Sequence, residues 1–547
     1  MRSRVKKAAV AAAIVAGTAA AAAGATGASV PAGPRLTPVA GANPRSAGYA
    51  PASRLSRELA QTVVAQGATK IENPSALTAY FGYDNDVLND QGQPVMVPAG
   101  AAGEAQKTEP DKNTYLVFDN GLPGADPAYA YGTRFLFQGH EAGAKDANGA
   151  AQGYITRINL DADSDHRVTL IATRDDQGKP IPPVDGSTWD PWARRLLFTA
   201  EGGRNGGVWA TDVVPGSIAQ DVSGALGRGG YEGIQNDAAG NLWLVEDVGG
   251  APKKDASGTA TAAKRPNSFV YRYVPAVPGD LHNGRLQALQ VLRDGAPITY
   301  ESQAALNAAD QVALHTYGKA FATRWVTIHD TATDGDAPFD ANAAAKAAHA
   351  TPLKRPENGQ FRPGSRFTEF YFDETGDTNT TSPENATAGG WGSVLRLVQS
   401  GPAADTGTLS MFYAGDEAHS GLDNVTFLSR DTVTFVEDAG DTLHAQRNAL
   451  DSGFVWDVTV DYSDPANQPV RWLAEGRDPS ATIDAGNGGF GKNDGDNEIT
   501  GVHVSDGDPG TGGILGAKVP QLFANPAWRW FYTQQHGDNS TFEVARR

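Results

Sequence analysis

The chain has 547 residues, with 45 Lys+Arg against 63 Asp+Glu and a formal net charge of −18. It contains no cysteine, which removes a disulfide scaffold, a thiolate zinc or iron–sulfur site and a cysteine nucleophile together. The acidic balance, with no dense Lys/Arg run after the first seven residues, argues against a nucleic-acid partner, whose phosphates need a basic stripe. An anionic substrate would have to be met through cations.

Arg2, Arg4, Lys6 and Lys7 precede an Ala/Val/Ile run from Ala8 to Ala23 and small residues to Ala28, the three-part form of a secretory signal peptide over residues 1–28. The run is Ala-rich and short for a membrane span of about 20 strongly apolar residues, so export is expected, with no stable membrane association once the signal is removed. Residues 29–55, rich in Pro, Gly and Ala without periodicity, read as a linker. Residues 56–547 form the body.

The body repeats one unit. Six times a short aromatic and β-branched strand runs into an acidic or histidine-bearing end: Arg134 to Glu141, Arg195 to Glu201, Asn241 to Asp247, Glu369 to Glu374, Thr432 to Asp438 and Trp530 to His536. A second strand follows each: Gly153–Ile158, Gly207–Ala210, Ser268–Tyr273, Gly392–Leu397, Gly453–Asp457 and Thr541–Val544. In the third copy Tyr231-Glu-Gly-Ile-Gln-Asn-Asp237 precedes the pair, and an antiparallel hairpin would bring Glu232 and Glu246/Asp247 to one edge. The same grammar recurs at Arg355-Pro-Glu357, Leu422-Asp-Asn424 and Glu498-Ile-Thr-Gly501, and more weakly at Asp185-Gly-Ser-Thr188. The expected fold is therefore all-β, a six-bladed β-propeller whose innermost strands line a channel. Ala-rich stretches between about 275 and 353 suggest helical insertions on its rim, and Thr375 to Gly390 a loop over the same face.

Acids beside Gly and Asn also serve as ordinary turn residues. Carboxylates packed at one channel mouth, however, resist ionising together unless a cation is held among them. The candidate metal ligands are Glu141, Glu201, Glu232, Glu246, Asp247, Glu357, Asp423 and Glu498, an oxygen set suited to Ca²⁺. His140 and His536 stand at strand ends, as proton donors to a leaving group or as structural hydrogen-bonding residues. Two other motifs are set aside. Asp161-Ala-Asp-Ser-Asp165 lacks the Gly and Glu of a calcium loop, and Gly486-Asn-Gly-Gly-Phe-Gly491 has neither the strand nor the helix of a dinucleotide site.

In their order, the His140-Glu141 pair, Thr199-Ala-Glu-Gly202, Tyr231-Glu-Gly233, Arg355-Pro-Glu357, Leu422-Asp-Asn424, Glu498-Ile-Thr-Gly501 and Gln535-His-Gly537 resemble the signatures of the bacterial PhoX-type alkaline phosphatases. The resemblance runs from about Asn73-Pro74 to the C-terminus. It implies a calcium and ferric-iron cluster at one end of the channel and hydrolysis of phosphate monoesters outside the cytoplasm, on a small-molecule phosphate ester by a monomer. Glu232 and Glu357 match metal-ligating glutamates of the family, and Arg355 matches an arginine that contacts phosphate. The family's cysteine ligand to iron falls on Ala200, and a further family glutamate falls near Ser268. Its paired export arginines are replaced by Arg2-Ser-Arg4. The absent cysteine ligand implies either an all-oxygen calcium site without iron or a loss of phosphatase activity, with calcium the expected ion and ferric iron the alternative. The alternatives are a non-catalytic calcium-binding propeller and a metal-dependent esterase, phosphodiesterase or lactone hydrolase.

Overall fold

The computed structural model describes residues 33–47, 52–96, 105–143, 151–299, 308–476, 498–535 and 539–547. The signal-like segment 1–28, the Gly486 to Gly491 loop and His536 lie outside them.

Every predicted strand pair is present as an antiparallel hairpin. Arg134–His140 pairs with Ile155–Asn159, Arg195–Ala200 with Gly207–Thr211, and Leu242–Glu246 with Val270–Pro275. Glu369–Glu374 pairs with Ser393–Gln399, Thr432–Glu437 with Ser452–Asp457, and Arg529–Gln534 with Ser540–Arg546. A further strand flanks each hairpin on either side. The result is three four-stranded sheets, a five-stranded sheet and a ten-stranded sheet, in a propeller-like arrangement. The ten-stranded sheet departs from the expectation of separate blades. The long strand Ala320–Asp330 pairs with Gly284–Arg293 on one side and Thr406–Ala414 on the other, and so fuses two runs of four.

The Ala-rich stretches between 275 and 353 are helical as expected, and strands lie before and between them. The segment does hold the helices Ala309–Leu314 and Ala341–Ala347, but Gly284–Arg293 and Ala320–Asp330 are its longest elements. Ala320–Asp330 buries Phe321, Thr323 and Trp325 at every second position, a period-two pattern. The linker is revised as well. Thr37 donates to Glu58 at 2.6 Å, Asn43 donates to the Glu475 carbonyl at 2.6 Å, and Arg54–Leu55 pairs with Val470–Ala474, so the described part of 29–55 lies on the body.

Aromatic residues pack the core both within the ten-stranded sheet and between neighbouring sheets. Trp243 meets Trp325 and Phe361 with ring centroids 5.1 and 5.0 Å apart, and Trp472 meets Trp530 at 4.4 Å. The N-terminal strand Leu59–Ala65 pairs with the C-terminal Ser540–Arg546 and completes the last sheet, which removes two exposed edges at once. Leu59 is fully buried in the core that contains Trp472 and Trp530. Leu59→Ala is expected to cost about 2–5 kcal/mol, read as a lower melting temperature in calorimetry. An unchanged melt would mean that this strand does not close the last sheet.

Candidate metal centre

The first strands of the four-strand runs pack beside one another in cyclic order. They are Pro110–Val117, Ser187–Asp190, Tyr231–Asn236, Gly359–Phe361, Leu422–Phe427 and Ile499–Ser505, and the last lies against the first. Two glycines permit this closeness: a Cβ at Gly186 would meet the Glu232 carbonyl at 1.8 Å, and one at Gly233 the Glu357 carbonyl at 2.8 Å. The register slips at Asp111 and Lys112, at Glu232 and Gly233, at Asp423 and Asn424, and at Gly501 and Val502. A β-bulge of this kind re-aims side chains, and here it recurs at the acidic end of the lining strands.

Two carboxylate groups result. Glu201, Glu232, Asp247 and Glu357 each place an oxygen within 4.8 Å of the others, and Asp111, Glu141 and Glu498 form a second set with the same spacing. Asp423 is tied to the first group by Asn358, whose Nδ2 donates to Glu232 at 2.7 Å and to Asp423 at 3.2 Å. Asp247 is fixed by Arg355, whose Nε and Nη2 donate to it at 2.8 to 3.0 Å, while Nη2 lies 3.2 Å from Glu357. Thr375 donates its hydroxyl to Glu357, and Gln535 donates to Glu141 at 2.8 Å. Arg355 has a φ of 57°, a left-handed backbone that is costly for a residue with a side chain and concentrates at functional sites.

Burial, followed by mutual repulsion, pushes the carboxyls of Glu141, Asp185, Glu232 and Glu498 well above the ordinary range. Glu357 is pushed up to about 8 and Asp423 to about 6, burial again leading. Buried Oδ1 of Asp185 and Oδ2 of Asp373 have no hydrogen-bond donor. The donor set is therefore all oxygen, anionic and short of protons or cations, which fits a hard ion such as Ca²⁺. It does not fit a thiolate-bound iron, since the chain has no cysteine.

Of the residues singled out from the sequence, the structure brings together Glu201, Glu232, Asp247 and Glu357, with Arg355 on them, and places Glu141 and Glu498 in the second group. Glu246 is not among them. It faces away from Asp247, because successive strand residues point to opposite sides, and accepts from Tyr271 at 2.8 Å and Asn342 at 3.0 Å. His140 is not placed as a proton donor to a substrate. It is fully buried with Thr108 at 2.9 Å on Nδ1 and Thr156 at 2.9 Å on Nε2, and burial lowers its pKa to about 3. His536 lies outside the described residues. Asp111 and Lys112 were missed, although Glu109-Pro-Asp111 repeats the X-Pro-acid spelling of Arg355-Pro-Glu357, with φ again positive, 49°, before the proline. Asp185-Gly186 likewise repeats Glu232-Gly233.

Fold and site together define a propeller-like protein with a carboxylate-lined mouth. Residues 260–508, just under half of the chain, match the profile of the family described as alkaline phosphatase PhoX. The Pseudomonas fluorescens PhoX solved in complex with vanadate, a transition-state analogue, superposes with a TM-score of 0.54 at 10% identity, covering 93% of this chain and 97% of that one, a likeness of fold. A gluconolactonase from Xanthomonas campestris aligns at 13% identity over 66% of this chain and 86% of its own, with a TM-score of only 0.24. No curated protein sequence matches the chain.

The raised carboxyls set a pH dependence. The unfolded chain loses these protons near pH 4, whereas the folded metal-free chain keeps them to about 6 at Asp423 and about 8 at Glu357. Between those limits the native state binds more protons, so its stability falls as pH rises. In chelator the protein is expected to melt lower at about pH 8 than at about pH 5, and calcium to remove or invert that difference by holding the carboxylates ionised. Equal melts in chelator at both pH values would contradict the raised carboxyls.

Proposed function

We propose that this protein is an exported, calcium-dependent phosphatase that hydrolyses small phosphate monoesters at the carboxylate mouth of a six-bladed propeller. The count of six takes the ten-stranded sheet as two blades fused by Ala320–Asp330, in keeping with the cyclic order of the lining strands. The observation that carries the reading is the four-acid group with Arg355 bound to two of its members. Export is supported by the signal-like residues 1–28, and among the described residues no helix is long and apolar enough to cross a membrane. A monomer without a nucleic-acid partner suits the acidic composition.

Glu201, Glu232, Asp247 and Glu357 would hold one ion, and Asp111, Glu141 and Glu498 a second, with Asp423 and Asp185 between the groups. Bound calcium would offset the carboxylate charge and supply positive potential for a phosphate. Arg355 adds its own. Its Nε and Nη2 edge is spent on Asp247, so Nη1 is the side a phosphate oxygen would meet. The geometry acts before substrate arrives, because Asp247 and Glu357 fix the guanidinium and spare its reorganisation during phosphoryl transfer.

Turnover of an aryl phosphate monoester should require added calcium and be abolished by chelator. Glu232→Gln and Glu357→Gln are expected to weaken calcium binding, and Arg355→Ala to lower kcat about a hundredfold or more, the scale of losing one preorganised donor. Absence of monoester turnover with calcium restored, or faster turnover of a phosphodiester or lactone, would redirect the assignment.

A further inference from the structure

Lys112 is a second basic residue, besides Arg355, at a mouth lined mainly by acids. It follows Asp111 at the bulge of the Pro110–Val117 strand and is 3% exposed. Its Nζ donates to Asn424 Oδ1 at 3.0 Å and to Asn358 Oδ1 at 3.3 Å. Neither residue belongs to an adjacent lining strand: Pro110–Val117 packs against Ser187–Asp190 and Ile499–Ser505, whereas Asn424 lies in Leu422–Phe427 and Asn358 just before Gly359–Phe361. The lysine side chain therefore crosses the channel to the far wall. The same two amides donate from their nitrogens to Glu232 and Asp423, so the ammonium and the carboxylates hold opposite ends of each amide. Burial lowers the pKa of its ammonium, and the charges of Asp111, Asp423, Glu232 and Asp373 oppose that.

We propose that Lys112 is a tethered countercharge and positioning residue that floors the mouth and keeps the Glu232 and Asp423 carboxylates assembled before any divalent ion binds. The inference rests on the mouth being a cation site, but it concerns the metal-free state and can be judged there. Removing one partner of a buried charge set leaves the others uncompensated. A divalent ion bound among the same carboxylates would substitute for the missing charge, as would the loss of one carboxylate.

The test compares the purified full-length protein with K112M, which keeps the length of the side chain without its charge, and with D423N and K112M/D423N. In chelator K112M is expected to melt about 5 °C or more below the parent, and saturating calcium to recover most of that loss. Adding D423N to K112M should restore at least half of the loss in chelator. Calcium stoichiometry from elemental analysis should not fall in K112M. A K112M that melts with the parent overturns the proposal, as does a loss equal with and without calcium that D423N leaves unrelieved, since both describe a lysine that only packs. If K112M does not accumulate, K112M/D423N against D423N decides: near-equal melting supports the countercharge and a large further loss overturns it. Failure of calcium to raise the parent's own melt would count against the calcium reading of the mouth, while the chelator comparison would still judge Lys112.

Discussion

The constraint on which the mouth depends is the repulsion among carboxylates that the fold forces together out of water. Two like charges about 4 Å apart at an effective dielectric near 20 repel by about 4 kcal/mol. The four-acid and three-acid groups contain several such pairs, enough to rival the whole net stability of a domain, about 5–15 kcal/mol. Such a site must hold protons or cations. The raised carboxyls express the first solution, Arg355 and Lys112 express part of the second, and the neutral amides of Asn358 and Asn424 add hydrogen bonds.

A second set of buried charges nearby shows the opposite balance. Lys354, next to Arg355 in sequence, is bonded to Asp377 at 2.9 Å and lies 2.5 Å from Glu384, which also accepts from Lys253 at 2.7 Å. Glu374 accepts from His315 at 2.8 Å and Ser393 at 2.6 Å. These ions are matched, so they fix the 375–390 loop against the hairpin of Pro252–Lys254 and Ala260–Lys264 and against the Ala309–Leu314 helix. Matched charges make a rigid wall, and surplus acids at the mouth make a binding capacity. The positive φ at Arg355 sits where the two regimes meet.

How much could be read in advance differs by element. The aromatic hairpins were legible because short aromatic and β-branched runs with acidic or histidine-bearing ends announce themselves locally. Ala320–Asp330 was not singled out, since its strand character comes from two partners remote in sequence. Glu232 and Glu357 were legible through the acid-before-strand grammar. Asp111 obeys the same grammar but was passed over, and Glu246 mimics it one residue out of phase. His140 looked like part of the mouth because it precedes Glu141. The alternation of a strand turns the two to opposite sides, and His140 spends both nitrogens on threonines.

By itself the sequence determined the all-β class, the repeated strand pairs, the acidic strand ends and the absence of any thiolate, because each follows from local pattern or composition. Only the tertiary structure decided which acids meet. Residues hundreds of positions apart, such as Asp111 and Glu498 or Lys112 and Asn424, become neighbours solely through the cyclic packing of the lining strands. Bulges then choose which side chain faces the channel. No local pattern carries that information, since the charge balance of a mouth is a sum over strands that the chain never places side by side.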